Sequence, residues 1–377
     1  MKIKEADAKP IFSEDFKKAA SSILRGAAPQ APQDCEPQVF FDFLEDQGVA
    51  PLFYLYLRDF PHRGAWFASL QELLAEEVRY QTITQSLRRL ELQKTLSLLR
   101  SHGIDFLLMK GVPLSYLLYP SPVIRPSVDV DLLICDGDVE IVKILMAREG
   151  YRLFDSIKDD VIAGEFCFLK EDEHGVNHVF DFHWKTSKPL VFSSVFSFLE
   201  LKEASIPVEA LGPGVRTLSY AHAMLLACVH RVAHHHDDDR LIWLYDIHLL
   251  AELLGASGLR AFSELAATKK MALVCHRGLS LTAQRFGTTV SEEMLAYLRE
   301  AGSREALSEP YLRTKNSLRR DFISNLEILP LRKKIRFLRQ CLFPPADYMM
   351  RKYASSNQFL LPFFYLRRGF SGIRKLL

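Results

Sequence analysis

Two aspartates, Asp129 and Asp131, are separated by a single valine at the start of an apolar run that ends at Ile134. The aliphatic residues of this run predict a buried β-strand. Because strand side chains two positions apart point to the same face, the two carboxylates are expected side by side. There they would repel each other and lose solvation. A divalent cation removes both costs, and Mg²⁺ prefers carboxylate oxygens. The spacing therefore predicts half of a metal site for phosphoryl or nucleotidyl transfer; the alternative is a pair of solvated residues at a strand end.

A third carboxylate is predicted at Asp181, within the strand-like run 178–184. The chain between Asp131 and this run is long enough for a helix near 138–149 and a strand near 165–170. If the two acidic strands are neighbours, the three aspartates form a triad. Two metal ions held about 4 Å apart by such carboxylates activate an attacking oxygen and stabilise a leaving pyrophosphate. Asp129, Asp131 and Asp181 are therefore the predicted catalytic residues and metal ligands, with Mg²⁺ or Mn²⁺ as the cofactor.

Lys110 and Gly111 end a short predicted strand that begins near residue 104, and residues 112–119 predict a helix. A glycine turn followed by a helix N-terminus offers free N–H groups to a phosphate, and glycine lets the backbone approach it. Lys110 would add a positive charge for a triphosphate, and Arg125 and Ser127 are further candidate phosphate contacts. The alternatives are an exposed lysine at a strand end and a glycine that only makes a turn.

Lys-Gly, a helix, the pattern Arg-x-Ser-x-Asp-x-Asp-Leu-Leu and a later strand with Asp-x-His-Trp together resemble the nucleotidyltransferase superfamily typified by DNA polymerase β. More narrowly, the chain is similar to the bacterial uncharacterised nucleotidyltransferase family, whose members often accompany polysaccharide or modified-peptide biosynthesis genes. The resemblance implies Asp129 and Asp131 as metal ligands, Asp181 as the third carboxylate and Lys110-Gly111 as the glycine-turn motif. Superfamily members usually carry Gly-Ser or Gly-Gly at this turn. Here Val112 follows the glycine, so no hydroxyl is available to the phosphates.

The order of the predicted elements indicates an α+β fold. A nucleotidyltransferase-like core with a small mixed β-sheet is expected between N-terminal and C-terminal helical regions. The predicted divisions are an N-terminal helical region at 1–100, a catalytic core at 101–212 and a C-terminal helical domain at 213–377. Ser13 is a predicted N-cap, and a long helix, either continuous or broken once, is predicted from near 64 to 100. The charged N-terminus and the absence of a run of roughly 18 apolar residues predict a cytoplasmic enzyme.

Residues 222–239 hold five histidines and three consecutive aspartates. His230 and His234 lie four residues apart, so they share a helix face and could bind a metal. Three interpretations stay open: a polar helix C-terminus that leads into an acidic turn, a binding site for acceptor or nucleotide, and a separate His/Asp phosphohydrolase site. His183, Arg240 and Asp246 join His230 and His234 as candidate acceptor or cleft residues.

Cations alternate with large apolar residues at 331–339 and 364–375. Such segments lie on anionic membranes, bind nucleic acid or form ordinary surface helices with snorkelling arginines. The net charge of the whole chain is only +2 and no aromatic platform repeats, which disfavours nucleic acid as the main partner. Peripheral membrane contact through the basic C-terminus remains an open alternative, and the sequence carries no signal for the oligomeric state.

Together these observations predict a Mg²⁺-dependent nucleotidyltransferase of the two-metal-ion type. It would move an NMP from an NTP to a small molecule, a glycan precursor or a peptide, and release pyrophosphate. The first alternative is a catalytically silent nucleotide-binding or scaffold protein that kept the fold, and the second is the phosphohydrolase. Loss of Asp131 is expected to leave the fold intact, because it relieves like-charge repulsion with Asp129.

Overall fold

The structure is a computed structural model that describes residues 13–58, 60, 64–154, 164–187, 189–193, 195–313, 317–353, 355 and 357–376. Its helices are α1 (Glu14–Leu24), α2 (Pro37–Asp46), α3 (Ala50–Arg58), α4 (Ala65–Ser101), α5 (Gly111–Leu117), α6 (Val139–Arg148), α7 (Leu190–Ser193), α8 (Phe198–Glu203), α9 (Tyr220–His235), α10 (Leu241–Thr268), α11 (Ala272–Phe286), α12 (Glu292–Gly302), α13 (Glu309–Arg313), α14 (Ser317–Ile328), α15 (Leu331–Leu342), α16 (Ala346–Lys352) and α17 (Leu361–Leu376). Its strands are β1 (Phe106–Met109), β2 (Asp129–Ile134), β3 (Arg152–Phe154), β4 (Glu165–Glu171), β5 (Asn177–His183), β6 (Ile206–Pro207) and β7 (Arg216–Thr217).

The strands form a seven-stranded mixed sheet in the order β3-β4-β5-β2-β1-β7-β6. β2 pairs with β5 in parallel and with β1 antiparallel, so the acidic strand lies at the centre of the sheet. The predicted α+β class is confirmed, because helical regions precede and follow this sheet along the chain. The elements predicted near 104, 138–149, 165–170 and 178–184 are confirmed as β1, α6, β4 and β5.

The two faces of the sheet differ in chemistry because strand side chains alternate. Val130, Leu132, Phe180 and Phe182 point to one face, where they form a hydrophobic core with residues of α4 and α6. The intervening residues, among them the acidic ones, point to the opposite face. Burial of the apolar face fixes the register, since a shift by one residue would turn the aspartates into the core.

α4 connects this core with a second one. The helix predicted near 64–100 begins after Gly64 and runs for 37 residues without the single break that the sequence left open. Leu92, Leu96 and Leu99 at its C-terminal end pack under the sheet, whereas Leu70 and Leu74 lie in the core of a helical body. The middle of α4 therefore passes between the two cores, next to the acidic face. The predicted N-cap of α1 is confirmed, because the Ser13 side chain accepts from the N–H of Phe16.

The helical body is built from both ends of the chain. Buried residues of α1, α2 and α3 share one hydrophobic core with residues of α9, α10, α11 and α12. The sheet in turn extends to Thr217, beyond residue 212. The predicted divisions at 100 and 212 stay predictions, but the regions they separate pack together. No helix in the described part of the chain has both the length and the apolar character that crossing a bilayer requires.

Candidate active site

Asp131 and Asp181 lie directly opposite each other in the parallel pair of β2 and β5. Partners in neighbouring strands point to the same face, so their carboxylates project together. Asp181 Oδ1 is buried and has no hydrogen-bond partner among the described residues. Burial and the Asp131 charge raise the pKa of Asp181, although the thiol of Cys167 on β4 opposes this shift. A buried carboxylate oxygen without a partner indicates a position where a ligand or a cation belongs.

Asp131 itself is held by two cationic or potentially cationic groups. Lys110 Nζ donates to Asp131 Oδ1 at 2.6 Å, and His183 Nε2 lies 2.8 Å from the same oxygen. Burial opposes ionisation, but the Lys110 ammonium and the His183 imidazole outweigh it, so the pKa of Asp131 lies well below its usual range. Lys110 adopts a positive φ of 57°, which is uncommon for a residue with a side chain. The backbone thus adopts a disfavoured conformation at the residue whose side chain contacts the acidic strand.

Asp131, Asp181 and His183 form a group whose ligand atoms all lie within 4.8 Å of one another. His183 Nδ1 lies 3.3 Å from Glu165 Oε2 but has no hydrogen-bond partner among the described residues. Two carboxylates and one imidazole suit Mn²⁺, and the carboxylates also suit Mg²⁺. These residues therefore fit the expected cofactor. His183, predicted as an acceptor or cleft residue, lies in this group, whereas Asp129, predicted as a ligand, lies outside it.

Asp129 begins β2 and is exposed at the entrance of the acidic face. It shares that face with Asp131, two residues further along the strand. Partial loss of solvation and repulsion by Asp131 raise the pKa of Asp129 to about 6, against the opposing charge of Lys110. At neutral pH Asp129 is therefore mostly ionised, and a bound cation would offset the repulsion between its carboxylate and that of Asp131.

Mn²⁺ binding to the metal-free protein is expected to strengthen by about tenfold between pH 5 and pH 7, since a cation competes with one proton at Asp129. With a pKa of about 6, Asp129 is mostly protonated at the lower pH and mostly ionised at the higher one. Isothermal titration calorimetry in two buffers of different ionisation enthalpy measures both affinity and proton release. The pH dependence should become shallower in Asp129→Asn, although the remaining ligands still compete with protons for the cation; an unchanged slope in that variant would contradict the assignment.

Gly111 lies beneath Arg125 and Ser127. A Cβ atom at Gly111 would meet Arg125 Nη1 at 1.9 Å and Ser127 Oγ at 2.6 Å, so these side chains occupy the space that a larger residue would need. Arg125 Nη2 forms a buried ion pair with Asp246 Oδ2 at 2.7 Å, and Arg125 Nη1 donates to Ser127 Oγ at 2.9 Å. The Tyr119 hydroxyl also donates to Asp246, at 2.8 Å. Arg125 and Asp246 thereby join the turn before the acidic strand to α10. The predicted phosphate contacts of Gly111, Arg125 and Ser127 stay predictions.

A cleft of about 450 Å³ opens between the acidic face of the sheet and the helical body. This volume falls within the range of small-molecule sites. The predicted site residues that line the cleft are Lys110, Gly111, Arg125, Ser127, Asp129, Asp131, His230, Arg240 and Asp246. Asp181 and His183, on the neighbouring strand β5, are not among the residues that line it. The structure thus brings most of the predicted residues, taken from distant parts of the chain, to one cleft.

Arg88 on α4 also lines this cleft and was not predicted from the sequence. Its Nη1 donates to the backbone oxygen of Ser127 at 2.8 Å, and Gln85 donates to the same oxygen at 3.0 Å. Arg88 Nε is buried without a partner, and burial lowers the pKa of this guanidinium. Within the described part of the chain, no carboxylate forms an ion pair with it. An amphipathic helix gives no sequence signal that one of its arginines faces a site, so only the fold reveals this residue.

Arg240 is the second guanidinium at this cleft. Its Nε donates to the backbone oxygen of Asp46 at 2.6 Å, and its Cζ lies 5.4 Å from the centre of the Trp243 ring. Burial lowers the pKa of Arg240, although the charge of Asp46 opposes this shift. Arg88 and Arg240 therefore present two positive charges to the cleft, and each has a backbone carbonyl as its hydrogen-bond acceptor.

The histidines of α9 divide between two environments. His230 and His235 line the cleft with their Nε2 atoms 3.0 Å apart, and His235 packs on Trp243 at 4.0 Å between ring centres. Burial and the nearby Lys110 charge lower the pKa of His230 well below its usual range. His234 instead pairs through Nε2 with Ser187 Oγ at 3.0 Å. The His230 and His234 rings stack with their centres 5.1 Å apart, but their Nε2 atoms pair with different groups, His235 and Ser187.

The aspartates of the turn after α9 form ion pairs with residues of the helical body. Asp237 forms ion pairs with the fully buried Arg231, at 2.6 Å, and with Arg277, at 3.0 Å. Asp239 forms ion pairs with Lys17 of α1 and Arg285 of α11. These carboxylates therefore do not join the histidines in a ligand set. Among the described residues, the only group of three or more metal-binding side chains with suitable spacing is the one at Asp131.

The model of the uncharacterised nucleotidyltransferase family matches residues 33–287, which span the sheet, the cleft and most of the helical body. Among solved structures, the antibiotic-resistance factor ANT(2'')-Ia is similar, with 16% sequence identity, a TM-score of 0.36, and coverage of 51% of this chain and 97% of that chain. A comparison with curated proteins gave no match.

Proposed function

This chain belongs to the uncharacterised nucleotidyltransferase family, and from that premise we propose that it transfers an NMP from an NTP to a hydroxyl or similar acceptor and releases pyrophosphate, with Mg²⁺ or Mn²⁺ as cofactor. The observation that carries the proposal is the side-by-side placement of Asp131 and Asp181, one of which has a carboxylate oxygen without a partner among the described residues, beside a cleft that Arg88 and Arg240 also line. A metal-bound triphosphate requires carboxylates that hold the metal ion and cationic side chains that contact the phosphate oxygens.

The residues that would hold the cation are Asp131, Asp181 and His183, with Asp129 at the entrance. When bound, Mg²⁺ neutralises phosphate charge and polarises the oxygens that react. Arg88 and Arg240 provide guanidinium donors for the phosphate oxygens, which they can contact in a bidentate manner. Lys110 adds a third charge close to the acidic pair. The cleft would thus select a polyanionic substrate rather than a neutral one.

A second, smaller cleft of about 180 Å³ meets the first at Arg88, Ser127, Val128 and Asp129. We assign the NTP to the larger cleft and the reacting end of the acceptor to the smaller one. Two openings that share Asp129 would allow the acceptor to approach the α-phosphorus from one side and the pyrophosphate to leave from the opposite side. The smaller volume admits a small molecule or one side chain of a peptide, in keeping with the expected acceptor classes.

The proposed reaction requires few groups. The acceptor oxygen attacks the α-phosphorus, its proton passes to a base, and the bond between the α-phosphorus and the pyrophosphate oxygen breaks. As an alternative to its role as a metal ligand, Asp181 is a candidate for that base, since its Oδ1 has no hydrogen-bond partner among the described residues and burial raises its pKa. Arg88 and Arg240 would stabilise the negative charge that gathers on the leaving pyrophosphate.

The test is pyrophosphate release from each of the four NTPs with Mg²⁺ or Mn²⁺, with cell extract as the source of acceptor. The double variant Asp129→Asn/Asp131→Asn is the control. Release that depends on extract and disappears in the control would establish a transferase and its preferred base. Nucleotide binding without release above the control would reject the proposed reaction and favour a silent nucleotide-binding protein.

Arg88→Gln is expected to raise the KM for the NTP about tenfold or more, because a charge-assisted hydrogen bond to phosphate is worth about 1.5–3 kcal/mol. Steady-state kinetics of pyrophosphate release measure this change. The matched control is Arg79→Gln on the same helix, since Arg79 is exposed and lines neither cleft. Equal KM values for the two variants would contradict the role of Arg88.

A further inference from the structure

The last 47 residues of the chain are strongly basic, whereas the preceding residues are net acidic. Residues 331–377 contain eleven lysines and arginines against one acidic residue, Asp347, for a net charge of +10. Since the whole chain has a net charge of +2, residues 1–330 are net negative, at −8. Such an asymmetry concentrates positive potential on one part of the surface and favours an anionic partner there.

α15 exposes its apolar side to solvent. Leu331, Ile335, Leu338 and Leu342 recur every three or four residues and thus share one side of the helix, with exposures between 37% and 74%. Phe337 points the other way and is buried against α14. Surface helices normally bury their apolar stripe, so an exposed stripe requires an explanation. The cations that flank the stripe on α15 are Arg332, Lys333, Arg336 and Arg339.

α17 extends the same surface. Phe363, Leu366 and Phe370 lie on one side of this helix and are 59%, 63% and 75% exposed. With Leu342 and Phe343 at the end of α15, Leu366 and Phe370 line an almost wholly apolar groove of about 650 Å³. Exposed aromatic and aliphatic residues from two helices therefore converge on one patch beside the cations.

Specific contacts hold the two helices together. The Tyr365 hydroxyl donates to the backbone oxygen of Pro344 at 2.8 Å, and Arg368 Nε donates to the backbone oxygen of Cys341 at 3.1 Å. The Phe343 and Tyr365 rings pack with their centres 5.7 Å apart. The patch is therefore preformed by the fold, and its exposed apolar groups are available to a partner.

We propose that α15 and α17 form a docking surface for an anionic lipid membrane. Cations next to solvent-exposed leucine and phenylalanine match a lipid interface, where headgroups meet the charges and acyl chains receive the apolar side chains. Nucleic acid would use the cations but not an aliphatic stripe and an apolar groove. A second copy of the chain would bury the stripe against itself but would bring like charges together. The surface lies beyond the cleft, so the proposal does not depend on the nucleotidyl transfer.

Flotation of the full-length protein with vesicles tests the proposal. One set contains phosphatidylcholine alone, and the other contains phosphatidylcholine and phosphatidylglycerol in equal amounts. Binding to the anionic set is expected to be at least about tenfold tighter. It should weaken at least about tenfold when NaCl is raised from about 0.1 M to about 0.5 M, because salt screens the charges.

Two pairs of variants separate the apolar from the charged contribution. Phe363→Ser/Phe370→Ser should weaken vesicle binding at least about tenfold, and Leu199→Ser/Leu253→Ser, which alters similarly exposed residues of α8 and α10, should not. Arg332→Gln/Lys333→Gln should weaken it more than the exposed pair Arg148→Gln/Arg260→Gln. The residues changed in all four double variants are solvent-exposed, so the variants should fold. Circular dichroism checks that they do.

Several outcomes would overturn the proposal. These are no binding to either vesicle, equal binding to neutral and anionic vesicles, or equal binding by the docking-surface variants and their controls. Binding of single-stranded RNA without vesicle binding would instead assign the cations to nucleic acid. A dimer in light scattering that dissociates in Phe363→Ser/Phe370→Ser, again without vesicle binding, would assign the patch to a second copy of the chain.

Discussion

The Asp131→Asn variant is expected to lose at least about 10³-fold of its nucleotidyl transfer activity, equivalent to about 4 kcal/mol of transition-state stabilisation. Asp131 is the residue on which the site converges: Lys110, His183 and the neighbouring Asp181 all lie against its carboxylate. Asparagine keeps the shape but removes the charge that holds a cation. Pyrophosphate release at saturating NTP, with extract as acceptor source, measures the loss.

Mn²⁺ affinity should fall in parallel, by at least about 100-fold, since a direct ligand matters more than the outer-shell partners whose loss costs 10–100-fold. Asp136→Asn is the matched control, because Asp136 is an exposed aspartate just beyond the same strand. It should leave both activity and affinity unchanged. Turnover retained in Asp131→Asn, or lost equally in Asp136→Asn, would reject the site.

The structure changes the expected effect of this substitution on stability. The sequence suggests relief of repulsion between Asp129 and Asp131, but in the fold Asp131 is stabilised by Lys110 and His183. Since its pKa is lowered in the folded protein, the ionised form contributes stability at neutral pH, and this contribution is lost as the pH falls below about 4. Asp131→Asn should therefore destabilise the metal-free protein by about 1–3 kcal/mol, and the difference from wild type should shrink in acid.

Sequence reasoning reached the acidic face because its signals are local. Asp129 and Asp131 share a side of β2 by strand alternation alone, and the apolar residues between and after them fix which side is buried. Asp181 required one further assumption, that β5 lies beside β2. The parallel register Asp131–Asp181 bears that assumption out. The long helix α4 and the Ser13 cap are also local patterns.

Contacts between distant segments could not be predicted in this way. Arg88 comes from α4, Arg240 from the start of α10 and Lys110 from the turn after β1, and only the packing of the helical body on the sheet brings them to one cleft. The partner of Arg125 is a similar case, because Asp246 was predicted only as an acceptor or cleft residue. It lines the cleft, but its ion pair is with Arg125. Pair contacts of this range depend on tertiary geometry, which spacing does not encode.

Arg125→Met is expected to lower the free energy of unfolding by about 3–5 kcal/mol, since it leaves the buried Asp246 carboxylate without its counter-ion. Arg125 and Asp246 are 9% and 3% exposed. The Tyr119 hydroxyl would remain as a donor to Asp246 but cannot neutralise it. Arg125 also donates to Ser127 Oγ over Gly111, so the turn that leads into the acidic strand should loosen and activity should fall as well. Chemical denaturation followed by tryptophan fluorescence measures the stability.

A double variant distinguishes a stranded charge from lost packing. Arg125→Met/Asp246→Leu removes both charges and should recover most of the stability, because buried ion pairs are often replaceable by apolar residues of similar size. Recovery should be incomplete, since Tyr119 loses its acceptor. Lys143→Met is the matched control: it breaks the exposed pair with Glu140, which is worth at most about 1 kcal/mol. If Arg125→Met lowered the free energy of unfolding no more than Lys143→Met does, the Arg125–Asp246 ion pair would not stabilise the contact between the acidic strand and the helical body.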